Sequence, residues 1–189
     1  MRDVLSLAGV DSAESFLARA GGAAEQGAAR TRTLRVNTLK ASVQEVVCAL
    51  ESDLGRGRVA EDPLLPALLR LPPGTDLHDH EVVVSGRGIL QSAASCMPAV
   101  ALGPKAGWHV LDACAAPGNK TTHLAALVGP TGRVFAYDRD ERRLATLRAN
   151  AVRAGADHIQ ATCQDFLKVD AGAPHLSQVC CTLEDCQCQ

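Results

Sequence analysis

Residues 109–162 alternate short apolar segments with amphipathic ones, and this repeat restricts the fold more than any other feature of the sequence. Strands are predicted at 109–112, 134–138 and 159–162, with helices between them at 119–128 and about 141–154. Parallel neighbouring strands joined by single helices almost always cross over in the right-handed sense. We therefore expect a parallel β-α-β-α-β unit, in which Gly155 ends the second helix.

The residues before this unit predict a smaller α/β region that begins with a strand at 34–39. Ser42 and Glu45 have the spacing of a helix capping box. The residues that follow place four apolar side chains on one helical face, namely Val43, Val46, Val47 and Leu50. A strand followed by a capped helix indicates a compact unit ahead of the larger sheet.

The other segments before residue 104 give weaker signals. Residues 81–84 predict a short strand, and residues 95–102 a helix that tolerates Pro98 only in its first turn. A short helix is expected at 11–20 and a loop at 21–29. Gly103-Pro104 marks the boundary to the larger unit.

Composition excludes several classes of protein. The 189 residues are 47% hydrophobic, which suffices for one domain with a small appended one. A formal net charge of -2 and only 3% aromatic residues argue against a generally basic surface and an extended base-stacking platform. No apolar run would span a bilayer and the N-terminus lacks a secretory signal, so we expect a soluble intracellular protein.

The eight cysteines do not predict a disulfide framework or a metal site. Those of residues 180–189 lack the paired spacing of a zinc site, so a disordered, thiol-rich tail is expected there. His78 and His80 flank Asp79, but no further ligand lies nearby, and a turn is the favoured interpretation.

Three features fall at the carboxyl ends of the predicted parallel strands, where α/β sheets bind their ligands. The loop 112–121, DACAAPGNKT, has small side chains that let a ligand approach the backbone, and Gly118 can adopt positive φ. Asp138 ends the second strand, where a carboxylate can accept both hydroxyls of a ribose. Asp165 follows the third strand, within reach of an adenine amino group. Together these positions predict a site for an adenosine-containing ligand.

Two phosphate-binding alternatives do not match the spacing. The G-x-G-x-x-G loop of a nicotinamide-dependent oxidoreductase is absent, since alanine and cysteine occupy the first glycine positions. A P-loop needs Gly-Lys-Ser/Thr in succession, but Asn119 separates Gly118 from Lys120. The expected ligand is therefore an adenosine without phosphates, and S-adenosylmethionine fits that description.

Several segments resemble the Sun-domain, RsmB-like RNA cytosine-5 methyltransferases. The segment DACAAPGNKT at 112–121 resembles their cofactor motif, and RVNTLK at 35–40 resembles their N-terminal RNA-binding module. The segment GRGILQSAAS at 86–95 is similar to the lead into their catalytic domain, and 62–81 to the subfamily that modifies large-subunit ribosomal RNA. The resemblance covers roughly residues 30–179.

The resemblance implies an α/β fold, the first half of a Rossmann-like class I methyltransferase sheet after a small α/β RNA-binding region. The corresponding divisions are 1–104 for the N-terminal region, 105–179 for the partial cofactor-binding domain and 180–189 for a tail outside the family. It also implies S-adenosylmethionine as cofactor, ribosomal RNA of the large subunit as partner, and a location in the nucleus and nucleolus.

Site residues carry over position by position from the same resemblance. Asp138 would bind the ribose, Asp165 would face the adenine and Arg143 would lie close to the cofactor, against the alternative of a solvated helix arginine. The loop would line the cofactor through Cys114, Ala115, Ala116, Pro117, Gly118, Asn119 and Lys120. Phosphate contact is expected from the basic run that starts at Arg30, through Arg32, Arg35, Asn37 and Lys40.

The catalytic part of the family pattern is missing from this sequence. The family's chemistry uses one cysteine to attack cytosine C6 and another to help remove the C5 proton, and an Asp-Pro-x-Cys-type motif follows the fourth strand. Asp185-Cys186 resembles this motif only weakly, because the proline is missing. Cys114 belongs to the cofactor loop and is not a candidate nucleophile. We therefore expect no catalytic residue here and no activity from the chain alone.

Two further expectations follow from the missing motif. A non-catalytic RNA- or cofactor-binding module is the alternative function. Without a fourth strand, 109–112 would present an open apolar edge, although residues 179–183 could partly cover it.

Overall fold

The computed structural model describes residues 32–170, 172–174 and 176–183. The helix predicted at 11–20, the loop at 21–29 and Arg30 lie outside the described residues. The described residues form two sheets of four strands each. None of the helices described is long and apolar enough to cross a membrane.

The first sheet is antiparallel and forms the small N-terminal unit. Its strand order is β2-β3-β1-β4. One helix packs on it, and together they enclose a core that includes Leu34, Val46 and Leu50. The elements are β1 (Arg32–Val36), α1 (Val43–Leu54), β2 (Ala60–Glu61), β3 (Leu68–Leu71) and β4 (Gly88–Leu90).

The capping box at the start of α1 is confirmed. The Ser42 side chain accepts from the backbone N–H of Glu45, and the Glu45 carboxylate accepts from the backbone N–H of Ser42 at 2.8 Å. Two otherwise unpaired N–H groups are satisfied in this way, which stabilises the helix start.

The strand predicted at 81–84 is wrong, because this segment is the short helix α2 (Glu81–Val84). Consecutive valines favour an extended chain, but the ring of His80 accepts from the N–H of Val82 and caps a helical turn. The other ring nitrogen of His80 lies 3.0 Å from the Asp53 carboxylate at the end of α1. Tertiary contacts on both sides of His80 therefore outweigh the β propensity of the valines.

The helix predicted at 95–102 begins earlier, as α3 (Ala93–Leu102), and is capped by Ser92. Pro98 consequently lies in the second turn, not in the first as predicted. The proline has no N–H to bond the carbonyl of Ala94, and Ala94 is exposed, so water can reach that carbonyl.

The second sheet is parallel, with order β7-β6-β5-β8, and confirms the β-α-β-α-β prediction. Side chains alternate between its two faces. Val110 and Val134 pack with α3 and α4, whereas Leu111, Phe135 and Tyr137 face the segment around Phe166. The elements are β5 (His109–Asp112), α4 (Asn119–Val128), β6 (Arg133–Asp138), α5 (Glu141–Ala154), β7 (Ile159–Cys163), a 3-10 turn (Phe166–Lys168) and β8 (Cys181–Leu183).

Strand β8 confirms that the run at 179–183 covers the edge of β5, and it corrects the expectation of a disordered tail for the residues that the structure describes. It pairs in parallel with β5, and the N–H of Cys180 donates to the carbonyl of His109 at 2.8 Å. β5 therefore has a partner on each side, and the order in which strands are added along the chain reverses at this strand. Ligands of doubly wound sheets bind next to such a strand, at its carboxyl end.

Candidate cofactor site

The loop after β5 is closed on itself by the buried carboxylate of Asp112. The Thr121 hydroxyl donates to this carboxylate at 2.7 Å, and the N–H of Cys114 lies 3.3 Å from its other oxygen. Thr121 Oγ1 also lies 3.0 Å from the carbonyl oxygen of Ala115. Asp112 and Thr121 are thus structural members of the site that sequence reasoning missed, although both belong to the DACAAPGNKT segment.

Gly118 forms the point where the loop enters α4. It has φ of +104°, so the predicted positive φ is confirmed. A Cβ there would lie 3.1 Å from Leu147 Cγ and 3.3 Å from Leu147 Cα. The backbone angle therefore favours glycine, and a Cβ there would also lie tightly against α5. The peptide bond between Ala116 and Pro117 is cis.

Asp138, at the end of β6, is in direct contact with this loop. Its Oδ2 accepts from the N–H of Ala116 at 3.1 Å, and its Oδ1 accepts from the N–H of Asp140 at 3.0 Å. The carboxylate is only 3% exposed. Because each carboxylate oxygen has more than one lone-pair direction, these bonds do not use up its capacity to accept hydrogen bonds.

Arg143 lies on the first turn of α5 and spans the same two groups. Its Nη2 donates to the carbonyl of Ala116 at 2.6 Å, and its Nη1 lies 3.6 Å from the Asp138 carboxylate. The alternative of a purely solvated arginine does not describe this side chain, although about half of it is exposed. Arg143 therefore ties the loop, Asp138 and α5 together.

Asp165 lies at the next strand end. Cys163 is the register partner of Asp138, and the N–H of Gln164 donates to the carbonyl of Asp138 at 3.0 Å. Asp165 follows directly, half-buried, and its carboxylate caps the 3-10 turn by accepting from the N–H of Leu167 at 3.1 Å. The ends of three adjacent strands thus bring together the loop, Asp138 and Asp165.

The remaining loop residues differ in their exposure. Ala115, Ala116 and Gly118 are buried, and Pro117 is exposed. Half-buried side chains are those of Cys114, Asn119 and Lys120. Small buried residues next to a carboxylate suit a ligand that is recognised by backbone groups and by hydroxyl donors.

The predicted phosphate contacts of Arg35 and Asn37 must be corrected. Their side chains are 1% and 0% exposed, so neither is available to an RNA backbone in this structure. Asn37 donates to the carbonyls of Gly86 and Ala154, both at 2.8 Å. It therefore joins the N-terminal sheet to the end of α5.

Lys40 makes a similar connection at the surface. Its ammonium donates to the carbonyls of Ser85 at 2.7 Å and Arg153 at 3.0 Å. A cation is favourable at the C-terminal end of α5, where unpaired carbonyls concentrate. Arg32 is exposed at the start of β1, and its predicted phosphate contact stays a prediction.

His123 of α4 gives a pH-dependent prediction. Burial, and secondarily the nearby Arg35, lower the pKa of His123 from 6.5 to about 3. Between these values the unfolded chain binds a proton that the folded protein excludes, so the free energy of unfolding falls as pH is lowered. Lowering the pH from 7 to 5 is expected to decrease the free energy of unfolding by about 2 kcal/mol through this residue. Urea unfolding at pH 7 and pH 5 measures it.

The matched variant is His123→Gln, which cannot take up the proton. Between pH 7 and pH 5, its free energy of unfolding should decrease by about 2 kcal/mol less than that of the unaltered protein. Equal decreases in the two proteins would contradict the assignment to His123.

Comparison with known protein families agrees with this geometry. Residues 99–188 match the family model described as 16S rRNA methyltransferase RsmB/F. Residues 52–91 match the ferredoxin-like domain of NOL1/NOP2/Sun domain family member 5. The first match continues through residues 180–188, which were expected to lie outside the family.

Two curated relatives share 42% of their aligned residues with this chain. One is the 25S rRNA (cytosine-C(5))-methyltransferase NSUN5 of Arabidopsis thaliana, aligned over 95% of this chain and 30% of the relative. The other is the 28S rRNA (cytosine-C(5))-methyltransferase of Mus musculus, aligned over 83% of this chain and 37% of the relative. The chain thus spans about a third of the length of these relatives.

A solved structure supports the same assignment. The methyltransferase homolog protein from Pyrococcus horikoshii superimposes with a TM-score of 0.67 and 31% identity. The superposition covers 87% of this chain and 56% of that protein. The sheet order, the loop after β5 and these sequence matches show that the chain belongs to the Sun-domain, RsmB/F-like family of RNA cytosine-C5 methyltransferases.

Proposed function

We propose that this chain binds S-adenosylmethionine, the cofactor of its family, at the carboxyl ends of β5, β6 and β7. The observation that carries this proposal is the Asp138 carboxylate, held against the N–H of Ala116 in a loop without a phosphate-binding fingerprint. A carboxylate beside a main-chain turn suits the hydroxyls of a ribose. In the full-length protein, we propose methylation of cytosine C5 in large-subunit ribosomal RNA.

The residues present fit this cofactor. Gly118 lies where any Cβ would press on Leu147, so the loop keeps its close approach to α5. Asp138 would accept from the ribose hydroxyls, and Asp165 from the adenine amino group. Arg143 would hold the loop carbonyl of Ala116 and the Asp138 carboxylate close to each other. When bound, the cofactor supplies the methyl group.

Three of the cysteines that the structure describes have thiols that do not suit the nucleophile of this reaction. Attack on cytosine C6 needs a thiolate, which is favoured by a lowered pKa. Burial raises the pKa of Cys96 to about 11, and burial also raises that of Cys181. A hydrogen bond with Glu141 raises the pKa of Cys163. These thiols, together with the lack of an Asp-Pro-x-Cys motif in residues 1–189, lead us to propose that this chain binds the cofactor but does not transfer its methyl group.

The RNA partner rests on the relatives, whose names specify 25S and 28S rRNA. Arg32 is exposed. Of the residues predicted to contact RNA phosphates, it is the one whose side chain has no described hydrogen bond to the N-terminal unit or to α5. A ribosomal RNA substrate would place the full-length protein in the nucleus and nucleolus.

The test is isothermal titration of the folded chain with S-adenosylmethionine, followed by incubation with methyl-labelled cofactor and ribosomal RNA fragments. Binding heat is expected, and label in the RNA should stay at the background of a reaction without protein. A titration with reduced nicotinamide cofactor is the matched control and should give no signal. Absence of heat with S-adenosylmethionine on demonstrably folded protein would overturn the cofactor site, and labelled cytosine would overturn the proposed lack of transfer.

A further inference from the structure

The Arg35 side chain crosses from the N-terminal sheet to the cofactor-binding unit. Its backbone pairs with Leu68 of β3 and Ile89 of β4 in the first sheet. Its Nε donates to Gln91 Oε1 at 2.7 Å. Its Nη2 donates to the hydroxyl of Thr122, on α4, at 3.1 Å. One guanidinium therefore bonds to both halves of the molecule.

Thr122 passes this contact to the cofactor loop. Its hydroxyl donates to the carbonyl of Gly118 at 2.8 Å, and its N–H donates to the same oxygen at 2.8 Å. Arg35 Nη2 also lies 3.5 Å from the carbonyl oxygen of Asn119. A continuous series of hydrogen bonds thus links β1 to the turn at which the loop enters α4.

The electrostatic setting of Arg35 indicates a specific role. Burial lowers the pKa of Arg35 to about 10, so the guanidinium keeps its charge at neutral pH. Within residues 32–183 as described, no carboxylate forms an ion pair with it, and its Nη1 is buried without a hydrogen-bond partner. It also lies beside the N-terminal turn of α4, where the helix dipole disfavours a cation. Among the residues that the structure describes, the hydrogen-bond acceptors of this guanidinium are neutral oxygens.

We propose that Arg35 is a positioning residue for the cofactor loop, so that cofactor affinity depends on how the N-terminal sheet is seated against α4. Arg35 acts through Thr122 and Gly118 and does not touch the ligand. This inference rests on the proposed binding of S-adenosylmethionine. It also gives the RVNTLK segment a role inside the protein in place of the RNA contact expected from its charge.

The first test compares Arg35→Lys with the unaltered chain. A lysine keeps the charge, but its single nitrogen cannot reach both Gln91 and Thr122 as the forked guanidinium does. S-adenosylmethionine should bind about tenfold more weakly by isothermal titration, the effect of losing about one hydrogen bond. Unchanged affinity in folded Arg35→Lys would overturn the proposal.

Leu50→Ala separates positioning from stability. Leu50 is fully buried in the core of the N-terminal unit, so its truncation destabilises the same sheet without touching Arg35 or Thr122. At a temperature where circular dichroism shows both variants folded, Leu50→Ala should bind the cofactor as the unaltered chain does. A parallel loss of affinity in Leu50→Ala would show that Arg35 contributes only stability.

Thr122 supplies the second arm of the test. Thr122→Val removes the hydroxyl and should weaken binding by about the same tenfold factor. Thr122→Ser keeps the hydroxyl and should restore the affinity. The double variant Arg35→Lys/Thr122→Val should bind no more weakly than either single variant, since both break the same series of bonds. Additive losses would overturn the proposed connection.

Amide hydrogen exchange tests the same idea without a cofactor. The N–H of Thr122 should exchange faster in Arg35→Lys than in the unaltered chain, while amides of β6 and β7 keep their protection. If S-adenosylmethionine fails to bind the unaltered chain but this local change is seen, the proposed function fails, and the effect of Arg35 on affinity fails with it, while Arg35 is still shown to hold the turn at Gly118. If the cofactor binds and exchange at Thr122 is unchanged, the positioning role fails.

Discussion

Gly86→Ala is expected to destabilise the protein by about 4 kcal/mol, because it forces apart the contact between the N-terminal unit and the end of α5. Gly86 has φ of +76°, and a Cβ there would overlap the carbonyl oxygen of Arg153 and lie 2.9 Å from its carbonyl carbon. That carbonyl cannot shift freely, since it belongs to the end of α5 and accepts from Lys40. Asn37, which bonds the carbonyls of Gly86 and Ala154, would be strained by the same displacement.

Gly74→Ala is the matched control for this substitution. Gly74 has nearly the same φ of +78°, but a Cβ there would meet no atom within 4 Å. Only the backbone cost of a left-handed alanine remains, about 1 kcal/mol. Thermal unfolding should therefore show a decrease of about 10 °C for Gly86→Ala and a much smaller one for Gly74→Ala. Similar decreases for the two variants would show that backbone angle, and not the contact with Arg153, sets the cost.

Asp138→Asn is expected to weaken S-adenosylmethionine binding about a hundredfold. The asparagine offers one acceptor oxygen where the carboxylate offers two, and it removes the negative charge near Arg143. The N–H groups of Ala116 and Asp140 each donate to one carboxylate oxygen. In asparagine an NH2 group replaces one of these oxygens, so two hydrogen-bond donors would face each other. The loss should appear in isothermal titration on protein whose unfolding curve confirms that it is folded.

Asp140→Asn provides the comparison for this prediction. Asp140 is two residues away and caps α5 by accepting from the N–H of Arg142 at 2.8 Å. Asparagine caps helices nearly as well as aspartate, so this change should leave both the fold and the affinity close to those of the unaltered chain. If Asp138→Asn binds the cofactor as tightly as Asp140→Asn does, Asp138 is not part of the cofactor site.

Periodic sequence patterns predicted the parallel unit well. The strands at 109–112 and 134–138 and the helices at 119–128 and 141–154 recur in the structure with bounds that differ by at most one residue. Each segment is long or regular enough for its own apolar pattern to select strand or helix. The same is true of α1, whose capping box is local. Gly118 was also predictable, since the turn into α4 needs positive φ.

Local signals failed where distant contacts outweigh them. The valines of 81–84 favour a strand, but the cap from His80 and its contact with Asp53 hold a helix. Charge alone suggested that Arg35 meets RNA, yet the pairing of β1 with β3 and β4 directs this side chain inward. β8 depends on a parallel partner far away in the chain, so its short apolar run indicated a cover for the edge of β5 but not a paired strand.

The cofactor loop could be found from the chain itself because glycine, proline and small residues act on the backbone within a few positions. The contacts of Arg35, Asn37 and Gly86 could not be found in this way, because each involves an atom of another element, such as the Thr122 hydroxyl or the Arg153 carbonyl. Backbone angles are set by neighbours along the chain, whereas burial and hydrogen-bond partners are set by packing between sheets. The family and its cofactor motif could therefore be recognised in the sequence. The hydrogen bonds between the N-terminal unit and the unit that contains the parallel sheet could be seen only in the folded structure.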